Sequence, residues 1–380
     1  MKRRSEVQTA LRAVYVRGGT SRAIVFRQED LPAAQPPRAC QAWNPIFFAA
    51  LGSPDPNGRQ LNGLGGVISS LSKVAVVGPP TRAGADVDYT FAQVGVTEPI
   101  VSYRGNCGNI SSAIGPFAVD EGLVATSGDE AVVRIHNTNT AKIIEARFPL
   151  SGGRAAVTGE MRIAGVAGSG AAIRLAFRDP GGAATGRLLP TGRARDTLRL
   201  PGGAVLDVSL VDAANPVVFV AASALGLTAT ETPDALAADG ALIARFEEIR
   251  IAAAVAMGLA TESEARTAMK NMPLVAIVAP PSDPAAADVT VRVISSGQPH
   301  RAVPLTAAMC VAIAAHVPNS IVAACVDSAH GAGGDLRVAH ASGVLPVAAI
   351  VRGAGDEVIA EEAVVYRTAR RLMQGEVLIP

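Results

Sequence analysis

Twice in this chain a polar, glycine-bearing segment runs directly towards an apolar, helix-like stretch. In the first half, Gly105-Asn106-Cys107-Gly108-Asn109 precedes a run from Ser111 to Leu123. In the second, Ser295-Ser296-Gly297-Gln298-Pro299-His300 precedes Thr306 to Ala315, which reads as a buried helix. No short repeat period accompanies this looser symmetry between halves. A helix start carries unpaired N–H groups and a partial positive charge, and these bind carboxylates or phosphates. Two such starts facing one cleft would hold a substrate with several carboxylates.

The first segment also holds a thiol. A helix mouth stabilises thiolate and makes a cysteine reactive. Glycines allow close backbone approach, and the flanking Asn106 and Asn109 supply hydrogen bonds that an inert core cysteine does not need. The alternative for a free cysteine is a small buried hydrophobe. That reading fits Cys40, Cys310 and Cys325, which lie in Ala-rich or apolar contexts.

Lysine is scarce: Lys2, Lys73, Lys142 and Lys270 stand against thirty arginines. Lys73 lies between Ser72 and a Val-rich strand. Burial can turn a lysine into a base, whereas arginine keeps its proton. A Ser72–Lys73 nucleophile pair is disfavoured, because adjacent strand residues point to opposite faces.

Other classes of function are poorly supported. Basic and acidic residues nearly balance, 34 against 33, so the footprint of a nucleic-acid binder is missing. Lys2-Arg3-Arg4 reads as a solvated tail, and Glu6, Gln8 and Arg12 interrupt any signal-peptide core. The longest apolar run, from Pro216 to Leu227, is too short to span a bilayer. No CxxC occurs, and His136, His316, His330 and His340 lack metal-ligand spacing. Gly331-Ala-Gly-Gly334 reads as a turn, since no Lys-Ser/Thr follows it. A reducing cytoplasm is the expected compartment.

The length of 380 residues suggests roughly two or three domain-sized units. The pattern is strand-rich with few helices. Strands are expected at Arg12 to Arg17, Ala23 to Phe26, Val74 to Val77, Val87 to Val96, Val132 to His136, Ile143 to Phe148 and Ala171 to Phe177. The second half adds Val205 to Val211, Val217 to Ala222, Leu274 to Ala279, Val289 to Ile294, Leu345 to Val351 and Glu357 to Arg367. Helices are expected at Gln41 to Leu51, over Ser111 to Leu123 with an irregularity at Gly115-Pro116, and as one long helix from Pro233 to Gly258. The turn-rich segment from Arg178 to Gly186 predicts a boundary, dividing the chain into 1–185 and 186–380.

Several motifs then occur in a telling order. They are Arg17-Gly-Gly-Thr-Ser21, Gly52-Ser-Pro-Asp55, Gln60-Leu-Asn-Gly-Leu-Gly-Gly66, Ser72-Lys73-Val74, Asp88-Tyr89, Phe91-Ala-Gln-Val94 and Gly105-Asn-Cys-Gly-Asn109. Gly115-Pro-Phe-Ala118, Pro190-Thr-Gly192, Met257-Gly258, Ala279-Pro-Pro281 and Arg367-Thr-Ala-Arg370 follow. The chain resembles the PrpF family of isomerases over almost its whole length.

The resemblance implies an α/β, diaminopimelate-epimerase-like fold: two similar domains, each a sheet wrapped around a central helix, with the active site in the cleft between them. It places the catalytic pair on Lys73 and Cys107. Substrate carboxylates are expected to meet Arg17, Thr20, Ser21, Ser69, Asn106, Gly108 and Asn109, with Ser296, His300 and Thr306 from the second domain. The implied chemistry is proton abstraction and return across an allylic system in a 2-methylaconitate-like di- or tricarboxylate, with no cofactor and no metal. Helix starts would stabilise the enolate-like charge. The implied partner is a small polycarboxylate, with no nucleic acid and no membrane, and a homodimer is a compatible assembly. A keto–enol tautomerase of the 4-oxalomesaconate type is the alternative enzyme. A non-catalytic accessory protein to an aconitase-like dehydratase is the alternative of another class. Racemase-type chemistry with two cysteines is disfavoured, because the second half has no cysteine near a comparable helix start.

This chain departs from the family pattern at Arg22-Ala23, Asn62, Arg193, Leu274 and His300-Arg301. None of these touches Lys73 or Cys107. The extra arginines Arg22, Arg193 and Arg301 read as surface charges, with an additional substrate carboxylate as the alternative.

Overall fold

The run after Cys107 is a helix, Gly108–Asp120, and ten of its thirteen residues are buried. A helix buried almost all round needs partners on every side. Here they are strands: Thr9–Gly18, Ser21–Arg27, Lys73–Gly78, Glu130–Asn137, Lys142–Ser151 and Ala369–Ile379 all pack against it. The helix starts three residues before the sequence pattern suggests and runs through Pro116. Gly115 is required for packing, because a Cβ there would lie 2.8 Å from the Phe148 ring and 2.9 Å from Ala146 Cβ. The computed structural model of the chain describes residues 7–36, 40–103, 105–326, 334–353 and 358–380. The Lys2-Arg3-Arg4 cluster, Arg104, His330, the start of the Gly331-to-Gly334 turn, and Glu357 lie outside them.

The chain divides into two compact units, Met1–Ala176 with Tyr366–Pro380, and Phe177–Val365. The sequence pattern suggests a division into 1–185 and 186–380. The boundary falls inside the Ile173–Arg178 strand rather than in the turn that follows it. The last residues return to the first unit, because Ala369–Ile379 pairs along the full length of Thr9–Gly18.

In the first unit, Thr9–Gly18 and Ser21–Arg27 form an antiparallel hairpin. Ser21–Arg27 runs parallel to Lys73–Gly78, which is antiparallel to Val87–Val94. That strand is parallel to Glu130–Asn137, itself antiparallel to Lys142–Ser151. Strand alternation divides the side chains between two faces. Ile24, Phe26, Val74, Val76, Ala92 and Val94 pack with Trp43, Phe47 and Leu51 of the segment around helix Asn44–Leu51. Burying each large apolar side chain contributes about 1.5–3 kcal/mol. The intervening positions, Lys73, Tyr89, Phe91 and Gln93 among them, belong to the opposite face.

The second unit repeats this order. Val205–Ala213 and Asn215–Ala221 form the hairpin, and Leu274–Ala279 lies parallel to it. Val289–Ser295 follows antiparallel, Leu336–His340 parallel and Gly343–Arg352 antiparallel. Helix Leu305–Ala315, with nine of its eleven residues buried, packs against this sheet. Even one turn brace recurs: Asp86 accepts from the Arg134 backbone N–H, and Asp288 accepts from that of Arg337.

The expected long helix from Pro233 to Gly258 is two helices, Pro233–Ala238 and Gly240–Ala256. Asp239 is extended and caps the second through its carboxylate on the Leu242 N–H at 2.9 Å, which is why the chain breaks there. Among the described residues, no helix is long and apolar enough to cross a membrane.

Candidate active site

Lys73 is the first residue of its strand and is 8% exposed. Gln93 stands directly opposite it on the antiparallel neighbour, so the two side chains share a face. The Lys73 ammonium donates to Gln93 Oε1. Gln93 Nε2 donates to the carbonyls of Ser69 at 3.0 Å and Ser72 at 2.9 Å, which fixes the amide with its oxygen towards the lysine. Phe91, two residues along on the same face, places its ring 5.1 Å from the ammonium, an attractive arrangement for a cation. The loop before Lys73 is braced by Gln60, whose amide donates to Ser72 Oγ at 2.8 Å and accepts from the Gly66 N–H. Ser72 is therefore fully buried in its own contact and offers no nucleophile.

Cys107 occupies the N-cap position of helix Gly108–Asp120 with extended backbone. It is half-buried, whereas Cys40, Cys310 and Cys325 are buried. Burial pushes the Cys40 thiol up to about 11 and that of Cys310 higher still, as inert core thiols require. Ser111 donates from its hydroxyl to the Cys107 carbonyl at 3.0 Å and to Asn106 Oδ1 at 3.1 Å. Tyr89 is fully buried, its phenol is pushed up by burial and by the charge of Cys107, and its hydroxyl makes no hydrogen bond of good geometry.

The hairpin turn Gly18–Ser21 abuts the same helix start. A Cβ on Gly18 would lie 2.5 Å from the Asn109 carbonyl, and one on Gly19 would lie 2.1 Å from Asn109 Oδ1. Only glycines admit this approach. Asn109 Nδ2 donates to Thr20 Oγ1 at 3.1 Å, and its Oδ1 accepts from Arg367 Nε at 3.1 Å. Arg17 donates to the carbonyls of Gly19 and Thr368, each at 3.0 Å. Ser21 is buried at the turn, and Ser69 and Thr20 are exposed.

The second unit has the same frame with different side chains. Leu274 begins the strand equivalent to that of Lys73, and Pro304 caps the helix where Cys107 caps the first. Asn215 Nδ2 approaches Thr306 Oγ1 at 3.5 Å, a turn-to-helix contact that mirrors Asn109 on Thr20 with the partners exchanged. Ser296 sits at φ 50° in a tight turn, and the His300 N–H donates to the Val293 carbonyl at 2.8 Å. Two of the extra arginines have acid partners, Arg193 with Asp196 and Arg301 with Asp234, while Arg22 lies 5.6 Å over the Tyr15 ring.

The structure thus places the first-unit candidates at one end of one sheet. Gln93, Tyr89 and Arg367 join that set, and Asn215 joins Thr306 in the second unit, without having been singled out as site residues. Gln93, Tyr89 and Arg367 lie inside recognised motifs, and the alternation of Tyr89, Phe91 and Gln93 was the signal for the first two. Asn215 carried no signal of its own. Among the described residues, no group of His, Cys, Asp and Glu is placed to hold a metal.

Each unit is a sheet wrapped around a buried helix, an arrangement that solved structures share. A probable proline racemase from Agrobacterium radiobacter K84 superposes with a TM-score of 0.55 at 11% identity, covering 96% of this chain and 92% of that one. The fold is the diaminopimelate-epimerase-like one. The family model described as PrpF protein matches residues 8–380, and the chain belongs to the PrpF family. It is 40% identical to 3-methylitaconate isomerase of Eubacterium barkeri, over 98% of each chain. It is 37% identical to 2-methyl-aconitate isomerase of Cupriavidus necator, again over 98% of each. It is 38% identical to (4E)-oxalomesaconate Delta-isomerase of Novosphingobium sp. (strain KA1), over the full length of both. A crystal structure of methylitaconate-delta-isomerase superposes with a TM-score of 0.88 at 39% identity, covering 98% of this chain and 96% of that one.

Proposed function

We propose that this isomerase acts on unsaturated di- and tricarboxylates of the methylaconitate kind, with Lys73 and Cys107 as its acid and base. One of them removes a proton from the carbon next to the double bond. The electron pair delocalises through the alkene into the conjugated carboxylate, and the other group returns a proton at the far end of the allylic system. Substrate and product are isomers, so the step needs no oxidant or reductant. Each positioned acid or base contributes about 10²–10⁴-fold to such a transfer. Helix N–H groups at Gly108 and Asn109 would stabilise the enolate-like charge as it develops.

The observation that carries this reading is the asymmetry of the two units. Lys73, held by Gln93, and half-buried Cys107 occupy frame positions that Leu274 and Pro304 fill in the second unit. Incubation with 2-methylaconitate in deuterated water, followed by proton NMR, tests it. Solvent deuterium is expected to enter the allylic positions, and Cys107→Ser and Lys73→Ala are each expected to abolish exchange. Full exchange in either variant overturns the assignment.

The oxalomesaconate-type relative favours a second reading, keto–enol tautomerisation by the same pair. Ketonisation of 4-oxalomesaconate without any double-bond shift in methylaconitate would select it.

A further inference from the structure

Arg367 is a buried cation without a counter-ion among the described residues. It is 7% exposed, and among the described residues no carboxylate lies within ion-pair distance of it. Burial alone pushes its guanidinium down to about 10. A guanidinium has five N–H donors. Two bonds are made, from Nε to Asn109 Oδ1 at 3.1 Å and from an Nη to the Tyr366 carbonyl at 2.9 Å. Among the described residues, the remaining donors have no acceptor. The unbonded nitrogen is not sealed from solvent, so an anion can reach a charge that burial otherwise makes costly.

The surroundings sharpen what that is. Arg367 touches Asn109, the second residue of a thirteen-residue helix, and its side chain lies against the Gly19 turn. Arg17 packs on the adjoining carbonyls of Gly19 and Thr368. It stands opposite Arg370 across the strand pair, whose charge, after burial, also pulls the Arg17 guanidinium down. Neither Arg17 nor Arg370 has an acidic partner among the described residues. Like charges facing each other across a strand pair destabilise it. Arg367 at the helix start, with Arg17 on the adjoining turn carbonyls, therefore describes a seat for an anion. Cys107, two residues before Asn109, sets that seat beside the reactive thiol.

We propose that Arg367 is the counter-charge for one substrate carboxylate, gripping it together with Asn109 and the helix start, and that this contact selects polycarboxylates over singly charged acids. The inference rests on the isomerase reading above, yet it is tested without chemistry. Propane-1,2,3-tricarboxylate has no double bond to move, so its binding reports the seat alone. Calorimetric titration of the full chain with this acid is the experiment, alongside melting curves for each protein. Truncating a buried charged partner costs 2–5 kcal/mol or more in measured interfaces, so Arg367→Met is expected to weaken binding by about 30-fold or more. Arg367→Lys keeps the charge, loses the planar fork and is expected to give an intermediate loss with an unchanged melting temperature. Binding by Arg367→Met within threefold of the parent overturns the proposal, as does a parent that fails to bind the acid. Should Arg367→Met not fold, parent-level binding by Arg367→Lys overturns it. Failure here with solvent exchange intact would leave the isomerase reading standing. Loss of exchange in the parent would instead strike that reading.

Discussion

Gln93 holds Lys73 from the directly opposed position of the neighbouring strand, and the amide is oriented by Ser69 and Ser72 rather than by the lysine. Its oxygen is presented to the ammonium before any substrate arrives. Preorganised groups of this kind need no rearrangement at the moment of reaction.

Gln93→Met therefore removes the acceptor while keeping the bulk. A hydrogen bond to a charged group is worth about 1.5–3 kcal/mol, so kcat is expected to fall by about tenfold or more. Deuterium-exchange rates at saturating substrate measure this, and an unchanged rate would show that Lys73 needs no fixed partner.

The contact of the glycine turn with the helix start predicts a stability effect. Gly19→Ala adds a Cβ where Asn109 Oδ1 already lies, at φ +51°. Strain of this sort costs about 1–3 kcal/mol for the backbone alone, and the displaced Asn109 adds to it. Gly84→Ala, also at positive φ but with nothing within 4 Å, is expected to cost less. Chemical denaturation of both variants compares them, and equal losses would remove the role assigned to the turn.

Leu274→Lys asks whether the second frame can carry the chemistry of the first. Leu274 is 4% exposed and Gln93 has no amide counterpart there, since the register that pairs Val275 with Ile294 brings Ser295 opposite Leu274. The new charge would be buried without a partner, with an expected destabilisation of several kcal/mol and no rescue of exchange in a Lys73→Ala background. Restored exchange would contradict the asymmetry on which the functional reading rests.

Much of the frame was legible because it depends on local pattern. The strands around Val74 and Val289 alternate or run apolar, and the second central helix is apolar along its length. What was not legible depended on distant pairing. The strand Ala369–Ile379 is largely exposed and arginine-bearing, so nothing local marks it as the partner of Thr9–Gly18. Asp239 splits a helix through a cap that only its backbone conformation reveals. At the site, the glycine-flanked thiol and one of only four lysines stood out by composition. Gln93 and Arg367 did not, since an amide and an arginine are ordinary until their neighbours are known.

Arg250 is the buried brace of the second unit. It bonds Glu247 twice, together with the carbonyls of Ala265, Met269 and Met272, tying helix Gly240–Ala256 to helix Glu262–Thr267 and the chain beyond. Arg250→Met strands these acceptors, and about 3–5 kcal/mol of stability is expected to go. Calorimetric melting should show the loss while saturated exchange rates stay within twofold.

The pairing of Ala369–Ile379 with Thr9–Gly18 also has a consequence for how the protein comes into being. The first unit's sheet must wait, one strand short, while the whole second unit is translated. Domains generally fold as units, in order, during synthesis, yet here the later-made unit is the first whose residues are all available. Arg367 arrives with that final stretch, so a nascent chain already displaying Cys107 still lacks the buried guanidinium that bonds Asn109. The helix that carries the thiol gains its Arg367 contact at Asn109 only when the late segment docks.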